Sequence, residues 1–195
     1  MKNIFLFCFL AAMAVSAQAQ RFQLGIKGGV NASNFSGGDF STIKKETLVG
    51  FHAGAYMRFR LGGFSLQPEV QFSTQGARLQ QTTTNQDYKV SYVNVPVMFQ
   101  YIFRNGFYLE AGPQVGFKAS EDIENTTISR FAKSTDFAID GGLGYQSKIG
   151  LGIGARYIAG VSKVGDFNVN NFNPNFRNGV FQASLFYTLF GNRRP

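Results

Sequence analysis

The sequence contains no tryptophan, one cysteine, one histidine and five prolines in 195 residues, and only 15% of its residues are charged. The scarcity of cysteine and histidine excludes a disulfide framework and the usual Cys/His zinc sites. Few charges combined with 15% aromatic residues exclude an intrinsically disordered chain. Glycine and phenylalanine are abundant instead, with 23 and 22 residues. Because both are poor helix formers, this composition disfavours a helical bundle.

The first 19 residues, MKNIFLFCFLAAMAVSAQA, have the character of a secretory signal peptide. Lys2 supplies a positive start, Ile4 to Val15 form an apolar run, and Ala17 to Ala19 have the A-x-A form of a cleavage site. The apolar run is shorter than the roughly 20 residues that a membrane-spanning helix needs. We therefore predict a signal peptide at 1–19, which carries the cysteine, and a mature domain at 20–195.

The mature sequence alternates apolar and polar residues with a period of two, as in a strand whose two faces meet different surroundings. In residues 64–73, FSLQPEVQFS, the large apolar side chains share one face and Ser, Gln and Glu share the other. Eight segments follow this rule, and short and long connections take turns between them. The short connections lie at 61–63, 104–106 and 146–148, and the long ones at 32–47, 79–87, 118–135 and 159–178. This order predicts an all-β fold, an eight-stranded antiparallel up-and-down transmembrane β-barrel.

The composition of the two faces decides between a membrane barrel and a soluble one. A lipocalin-like barrel has its apolar face inside and a charged face in water. Here the polar face is rich in glycine and too poor in Lys and Glu for a water-exposed exterior, which favours a narrow lumen filled by side chains. The apolar face is therefore predicted to meet lipid. Aromatic residues beside the short connections fit an interfacial girdle: Phe59, Phe64, Phe103, Phe107, Tyr145 and Tyr187.

Several segments resemble the PorT-like (porin family) outer-membrane β-barrel proteins of Bacteroidota: GIKGGVNASNFSG (25–37), LQPEVQFSTQGARL (66–79), YVNVPVMFQYIF (92–103), FYLEAGPQVGF (107–117) and residues 140–164. The resemblance implies a barrel in the cell outer membrane, and it does not imply one particular activity. The protein that gives the family its name is associated with protein secretion. An accessory factor for secretion across the outer membrane is therefore one alternative to a structural or surface-interaction role.

The polar face places eight ionisable side chains in the predicted lumen: Lys27, Arg58, Arg60, Glu69, Glu110, Asp136, Asp140 and Arg156. Buried charges must be paired and hydrogen-bonded, which favours a lumen charge network over an ion or proton path. We expect Glu69 and Glu110 to share cationic partners drawn from Arg58, Arg60 and Arg156. A lumen plugged in this way makes a small-solute channel an unfavourable alternative.

His52, the single histidine, also faces the predicted lumen. Some eight-stranded outer-membrane barrels modify lipid A with a histidine, a serine and a carboxylate, but no nucleophile motif accompanies His52 and it points away from lipid. We therefore predict that the protein is not an enzyme. Metal-ligand spacings and phosphate-binding loops are missing from the sequence, so we expect no metal and no cofactor.

The last long connection contains three phenylalanines among asparagines, namely Phe167, Phe172 and Phe176. Exposed rings in a polar loop can recognise a protein partner; alternatively, the loop folds its own rings over the barrel mouth. The long connections also carry the basic residues Lys44, Lys45, Arg78, Lys118, Arg130, Lys133, Lys163 and Arg177. For a membrane protein their expected anionic partner is lipopolysaccharide phosphate, and not nucleic acid. Surrounding lipid and the barrel-insertion machinery complete the expected partners.

Overall fold

The computed structural model describes residues 22–37, 44–81, 84–123, 134–162 and 176–191. Eight antiparallel strands close into a barrel in which each strand pairs with the next and β8 pairs with β1. The strands are β1 (Phe22–Gly37), β2 (Lys44–Leu61), β3 (Phe64–Gln81), β4 (Thr84–Ile102), β5 (Phe107–Ile123), β6 (Thr135–Gln146), β7 (Leu151–Gly160) and β8 (Phe176–Gly191). The predicted fold class is confirmed. The described residues include no helix that is long and apolar enough to cross a membrane.

The two faces of the wall differ as the alternation requires. On β3, Val70 and Phe72 are exposed on the outside, whereas Glu69, Gln71 and Ser73 are buried in the lumen. Apolar side chains with large exposed areas recur on the outer face of every strand. An exterior of this kind is stable in a hydrocarbon environment and unfavourable in water.

The strands extend further than their apolar pattern predicts. The β3–β4 pairing runs from Phe64↔Tyr101 to Gln81↔Thr84, so the connection predicted at 79–87 shrinks to residues 82–83. The predicted long connections at 32–47, 118–135 and 159–178 are likewise shortened, because β1, β2, β5 and β8 continue into them. The backbone ladder does not depend on an apolar side-chain pattern. Beyond the apolar band, polar residues therefore continue the strands without leaving a hydrophobic signal.

The short connections all lie at one end of the barrel and form tight turns. Gly62, Gly106 and Gly150 have φ values of 67°, 94° and 90°, a region that glycine adopts without a steric penalty. In outer-membrane barrels the short turns face the periplasm and the longer connections face the outside. We use the terms periplasmic and extracellular end in this sense. The predicted signal peptide, residues 1–19, lies outside the described residues.

Candidate functional site in the barrel lumen

Arg156 lies at the centre of a hydrogen-bond network in the lumen. Its Nη2 and Nη1 donate to Glu69 Oε1 and Oε2 at 2.8 and 3.2 Å, and its Nε donates to Glu110 Oε1 at 2.9 Å. Gln100 Nε2 donates to the other Glu110 oxygen at 2.9 Å. These side chains are buried and come from β7, β3, β5 and β4. The planar guanidinium fork can bond two carboxylates at once, so Arg156 ties opposite parts of the wall together.

Glu69 receives several further donors. Lys27 on β1 places Nζ 3.3 Å from Glu69 Oε2, and Gln67 Nε2 donates to Oε1 at 2.7 Å. Gln71 Nε2 also donates to Oε2. The carboxylate of Glu69 is therefore compensated by two cations and two amides, which is the condition for keeping a charge in a buried site. We refer to Lys27, Glu69, Glu110 and Arg156 as the Arg156 layer.

Arg58 forms a second layer nearer the periplasmic end. Its Nε donates to Gln67 Oε1 at 2.5 Å and its Nη1 donates to Gln23 Oε1 at 3.1 Å. Nη1 also donates to Gln146 Oε1. Gln67 connects the two layers, because it accepts from Arg58 and donates to Glu69. We refer to Arg58 and its glutamine partners as the Arg58 layer.

Three aromatic rings surround the Arg58 guanidinium. Its Cζ lies 5.2, 5.9 and 5.8 Å from the ring centroids of Tyr56, Tyr108 and Phe186, within the range of cation–π attraction. Phe186 breaks the apolar alternation of β8, and the structure explains why: its ring points inward and meets Tyr56 edge-on at 6.0 Å. A Cβ atom at Gly152 would lie 2.2 Å from Phe186 Cζ. Glycine at that position therefore makes room for the ring.

Comparison with known proteins identifies the family of this chain. The sequence matches the family described as "Outer membrane protein beta-barrel domain" over residues 16–166. The chain belongs to this outer-membrane β-barrel family. No curated protein matches the sequence significantly.

Two solved structures have the same barrel architecture as this chain. Neisserial surface protein A aligns with a TM-score of 0.56 at 13% identity, covering 85% of this chain and 97% of that chain. Ail, the attachment invasion locus protein of Yersinia pestis, aligns with a TM-score of 0.52 at 15% identity, covering 86% and 98%. At such identities the likeness shows the fold alone.

His52 lies in the lumen of the barrel between Asn31 and Ser184. Its Nδ1 is 2.7 Å from Asn31 Oδ1 and its Nε2 is 2.9 Å from Ser184 Oγ. Asn31 Nδ2 donates to Ser73 Oγ and to two backbone carbonyls, so Asn31 Oδ1 is the acceptor towards His52. His52 therefore carries its proton on Nδ1 and accepts the Ser184 hydroxyl proton at Nε2.

The order serine, histidine, asparagine is also that of a hydrolytic triad. Ser184 cannot be recognised from the sequence as the partner of His52, because it follows His52 by 132 residues and has no local motif around it. Ser184 is buried and is paired on both sides, with Gly29 and Gly154. Its backbone is therefore part of the sheet on both sides, and its hydroxyl faces away from lipid. We interpret the three residues as a structural link between β1, β2 and β8.

A region beside the Arg156 layer is bonded less completely. Among the described residues, six buried side-chain atoms have no hydrogen-bond partner: both oxygens of Asp140, both polar atoms of Gln182, Asn94 Nδ2 and Gln71 Oε1. Asp140 Oδ2 lies 3.6 Å from Arg156 Nη1, and Gln182 is the Cα partner of Arg156. Asn94 is likewise paired with Gln71. Clustered polar atoms of this kind are where ordered water binds in a protein interior. We call this group the Asp140 region.

The three arginines that the sequence offers as partners for Glu69 and Glu110 have different surroundings. Arg156 bonds both carboxylates, whereas Arg58 bonds three glutamine oxygens. Arg60 is partly buried at the periplasmic rim. Lys27, which the sequence places only on the inward face, is the second cation at Glu69. Alternation identifies the inward residues, but the stagger of the strands decides which of them meet.

The remaining predicted residues lie further from Arg156 or outside the described part of the chain. Asp136 sits near the extracellular end of β6, where its Oδ1 accepts from Ser162 Oγ. Phe167 and Phe172 fall outside the described residues. Phe176 is the first residue of β8. Their predicted recognition role therefore stays a prediction.

Proposed function

We propose that this outer-membrane barrel has a non-conducting lumen and no enzymatic activity, and that its extracellular surface is the part that interacts with other molecules. The observation that carries this proposal is the pair of cross-lumen layers. The Arg156 and Arg58 layers and their partners include side chains from β1 to β7. Thr188 of β8 joins them through Gln146. No strand is left out of this network, which favours closure over an open path.

The energetics of the network favour permanent closure over gating. Separating Arg156 from Glu69 and Glu110 would leave Glu110 without its cation and Glu69 with Lys27 alone, and breaking one buried pair costs about 3–5 kcal/mol. Opening by thermal motion would therefore be rare. The aromatic rings around Arg58 add an apolar barrier on the periplasmic side of the Arg156 layer.

Liposome swelling tests the closed lumen. We expect liposomes that contain the folded protein to swell in arabinose no faster than protein-free liposomes. Folding is checked in the same preparation by heat-modifiable gel mobility. A swelling rate that rises with the amount of folded protein would contradict the proposal.

The proposed surface role rests on the extended strands and the chemistry of the connections above them. Our candidates for binding lipopolysaccharide phosphate are the predicted basic residues, of which Lys44, Lys45, Arg78, Lys118 and Arg177 lie on the strand extensions and not in connections. Arg130, Lys133 and Lys163 fall between the described strands in the sequence. Phe167 and Phe172 are our candidates for binding a protein partner. Neisserial surface protein A is a surface protein by name, and Ail, an attachment invasion locus protein by name, has been solved with the heparin analogue sucrose octasulfate. The shared architecture makes a surface role compatible with this fold.

Deletion of residues 166–177 tests this surface role. We expect the variant to fold, as judged by heat-modifiable mobility, and to lose surface binding of a candidate protein partner, because the segment carries Phe167 and Phe172. Unchanged binding would remove the connection between β7 and β8 from the surface proposal. The finer assignments, a PorT-like protein of Bacteroidota with a cleaved signal peptide at 1–19, are part of the same proposal, and the mature N-terminus can be read by mass spectrometry.

A further inference from the structure

A pocket opens at the periplasmic rim, away from the lumen network. It has a volume of about 770 Å³ and lies between the β2–β3 turn and the β4–β5 turn. Arg60 and Arg104 line it from the two sides, together with Asn105 and the rings of Tyr101 and Phe103. The rim is the level at which lipid headgroups meet the protein in an outer-membrane barrel.

The charge of this pocket is one-sided. Its described lining includes two arginines and no carboxylate. Arg104 is exposed in the turn, and Arg60 is partly buried at the end of β2. A guanidinium group presents several N–H donors in one plane and bonds phosphate oxygens in a bidentate manner. Two such groups lining one pocket, with no carboxylate among the described lining residues, favour an anionic ligand such as a phosphate group.

An aromatic wall borders the pocket on the lipid side. The ring of Tyr101 lies 5.0 Å from that of Phe64 and 4.9 Å from that of Phe103, and all three side chains are exposed. A Cβ at Gly63 would lie 3.2 Å from Tyr101 Cε2, so the missing side chain lets the Tyr101 ring approach the turn. Exposed rings at this level pack against the glycerol and upper acyl region of lipids.

We propose that this pocket binds the phosphodiester headgroup of an anionic phospholipid from the periplasmic leaflet. Arg60 and Arg104 bond the phosphate oxygens, and the Phe64–Tyr101–Phe103 wall packs against the apolar part of the same molecule. The wall distinguishes a lipid from free phosphate, which would use the arginines alone. The site is independent of lumen closure, since none of its groups belongs to the Arg58 or Arg156 layer.

Native mass spectrometry of the folded chain in detergent can measure this binding with phosphatidylglycerol as the probe. We expect retention of phosphatidylglycerol over phosphatidylcholine with the same acyl chains. The double variant Arg60→Gln/Arg104→Gln should weaken phosphatidylglycerol binding by about tenfold or more, because two charge-assisted bonds are lost. Lys148→Gln is the matched control: it removes a cation from another periplasmic turn, outside the pocket, and should leave binding unchanged.

Unchanged binding in the double variant would overturn the proposal, and so would any of three further results. One is equal retention of the two lipids, and another is equal loss of binding in the Lys148→Gln control. The third is displacement of phosphatidylglycerol from the unaltered protein by inorganic phosphate, which would identify a free-anion site. If the double variant fails to fold, the single variant Arg104→Gln carries the test, because Arg104 is exposed in a turn. Tyr101→Ser should weaken lipid binding, and unchanged binding in this variant would contradict the role of the wall.

Discussion

Two neighbouring parts of the lumen treat a buried carboxylate in different ways. Glu69 accepts hydrogen bonds from Lys27, Arg156, Gln67 and Gln71. Asp140 is equally buried, yet in the described residues its oxygens have no hydrogen-bond partner and its one cation lies 3.6 Å away. The same lumen therefore contains a saturated network, in which the carboxylate oxygens have hydrogen-bond partners, and an unsaturated one, in which they have none among the described residues.

The difference shows how protein side chains can fill a narrow lumen. Where long side chains from several strands converge on one guanidinium group, protein atoms satisfy every charge and span the lumen. In the Asp140 region, several buried donors and acceptors have no protein partner among the described residues, and groups of this kind can bond to water at a modest cost. We infer that the Arg156 layer holds the barrel closed and that the Asp140 region is tolerated beside it.

Arg156→Met should have the largest effect on stability. The change keeps much of the side-chain volume but leaves Glu69 and Glu110 without the cation that they share. We expect a loss of about 3–5 kcal/mol in the free energy of unfolding, measured by urea denaturation followed by circular dichroism. Arg104→Met, in an exposed turn, is the matched control and should change stability by less than about 0.5 kcal/mol. Similar small effects in both variants would show that the Arg156 layer does not stabilise the barrel.

Glu69→Gln should have the second largest effect. The amide keeps the shape of the side chain, but it replaces an acceptor of several charge-assisted bonds by a group that can accept at one atom only. We expect a loss of roughly 2–3 kcal/mol in the same assay, the range for a hydrogen bond to a charged group. Unchanged stability would mean that the Arg156 layer contributes nothing to the free energy of unfolding.

Gly144→Ala tests the packing around Tyr108, whose ring lies beside the Arg58 guanidinium. A Cβ at Gly144 would lie 2.4 Å from both Tyr108 Oη and the backbone oxygen of Ile153, so the aromatic ring and the neighbouring strand must both shift. We expect a loss of about 1–3 kcal/mol, as for other overpacked interiors. Gly141→Ala on the same strand is the control, because its Cβ would meet no atom within 4 Å, and it should be close to neutral. Equal effects at both positions would show that the loss of glycine itself, and not the ring contact, sets the cost.

Asp140→Asn should have the smallest effect of the series. The change removes a buried charge that has no hydrogen bond to lose, and it gives up only the long contact with Arg156. These contributions oppose each other, so we expect a change within about 1 kcal/mol of the original stability, in either direction. A loss as large as that of Glu69→Gln would show that the two carboxylates are held equally, and the comparison would fail.

The sequence was sufficient to predict the barrel, because the alternation directly records which face each residue occupies. Val70 and Glu69 could be assigned to opposite faces without a structure. The ends of the strands could not be predicted, since residues such as Gln81 and Thr84 pair through their backbones and carry no apolar pattern. Polar strand extensions look like loops in a sequence.

The partners within the lumen were predictable only in part. Residues on the inward face could be named, but the pairing of Arg156 on β7 with Glu69 on β3 depends on strand stagger and side-chain reach. Ser184 and Phe186 show the same limit. Ser184 contacts His52, and Phe186 contacts Tyr56 and Tyr108; all of these partners are distant in sequence, and no local motif records such contacts.

Conductance across a planar lipid bilayer is the most direct test of whether the Arg156 layer closes the lumen. The purified, folded protein is added to one side of the bilayer in concentrated KCl, and the current is recorded at constant voltage. If the Arg156 layer closes the lumen, the current stays at the level of the bare bilayer. Reproducible single-channel steps that appear only with the folded protein would contradict it.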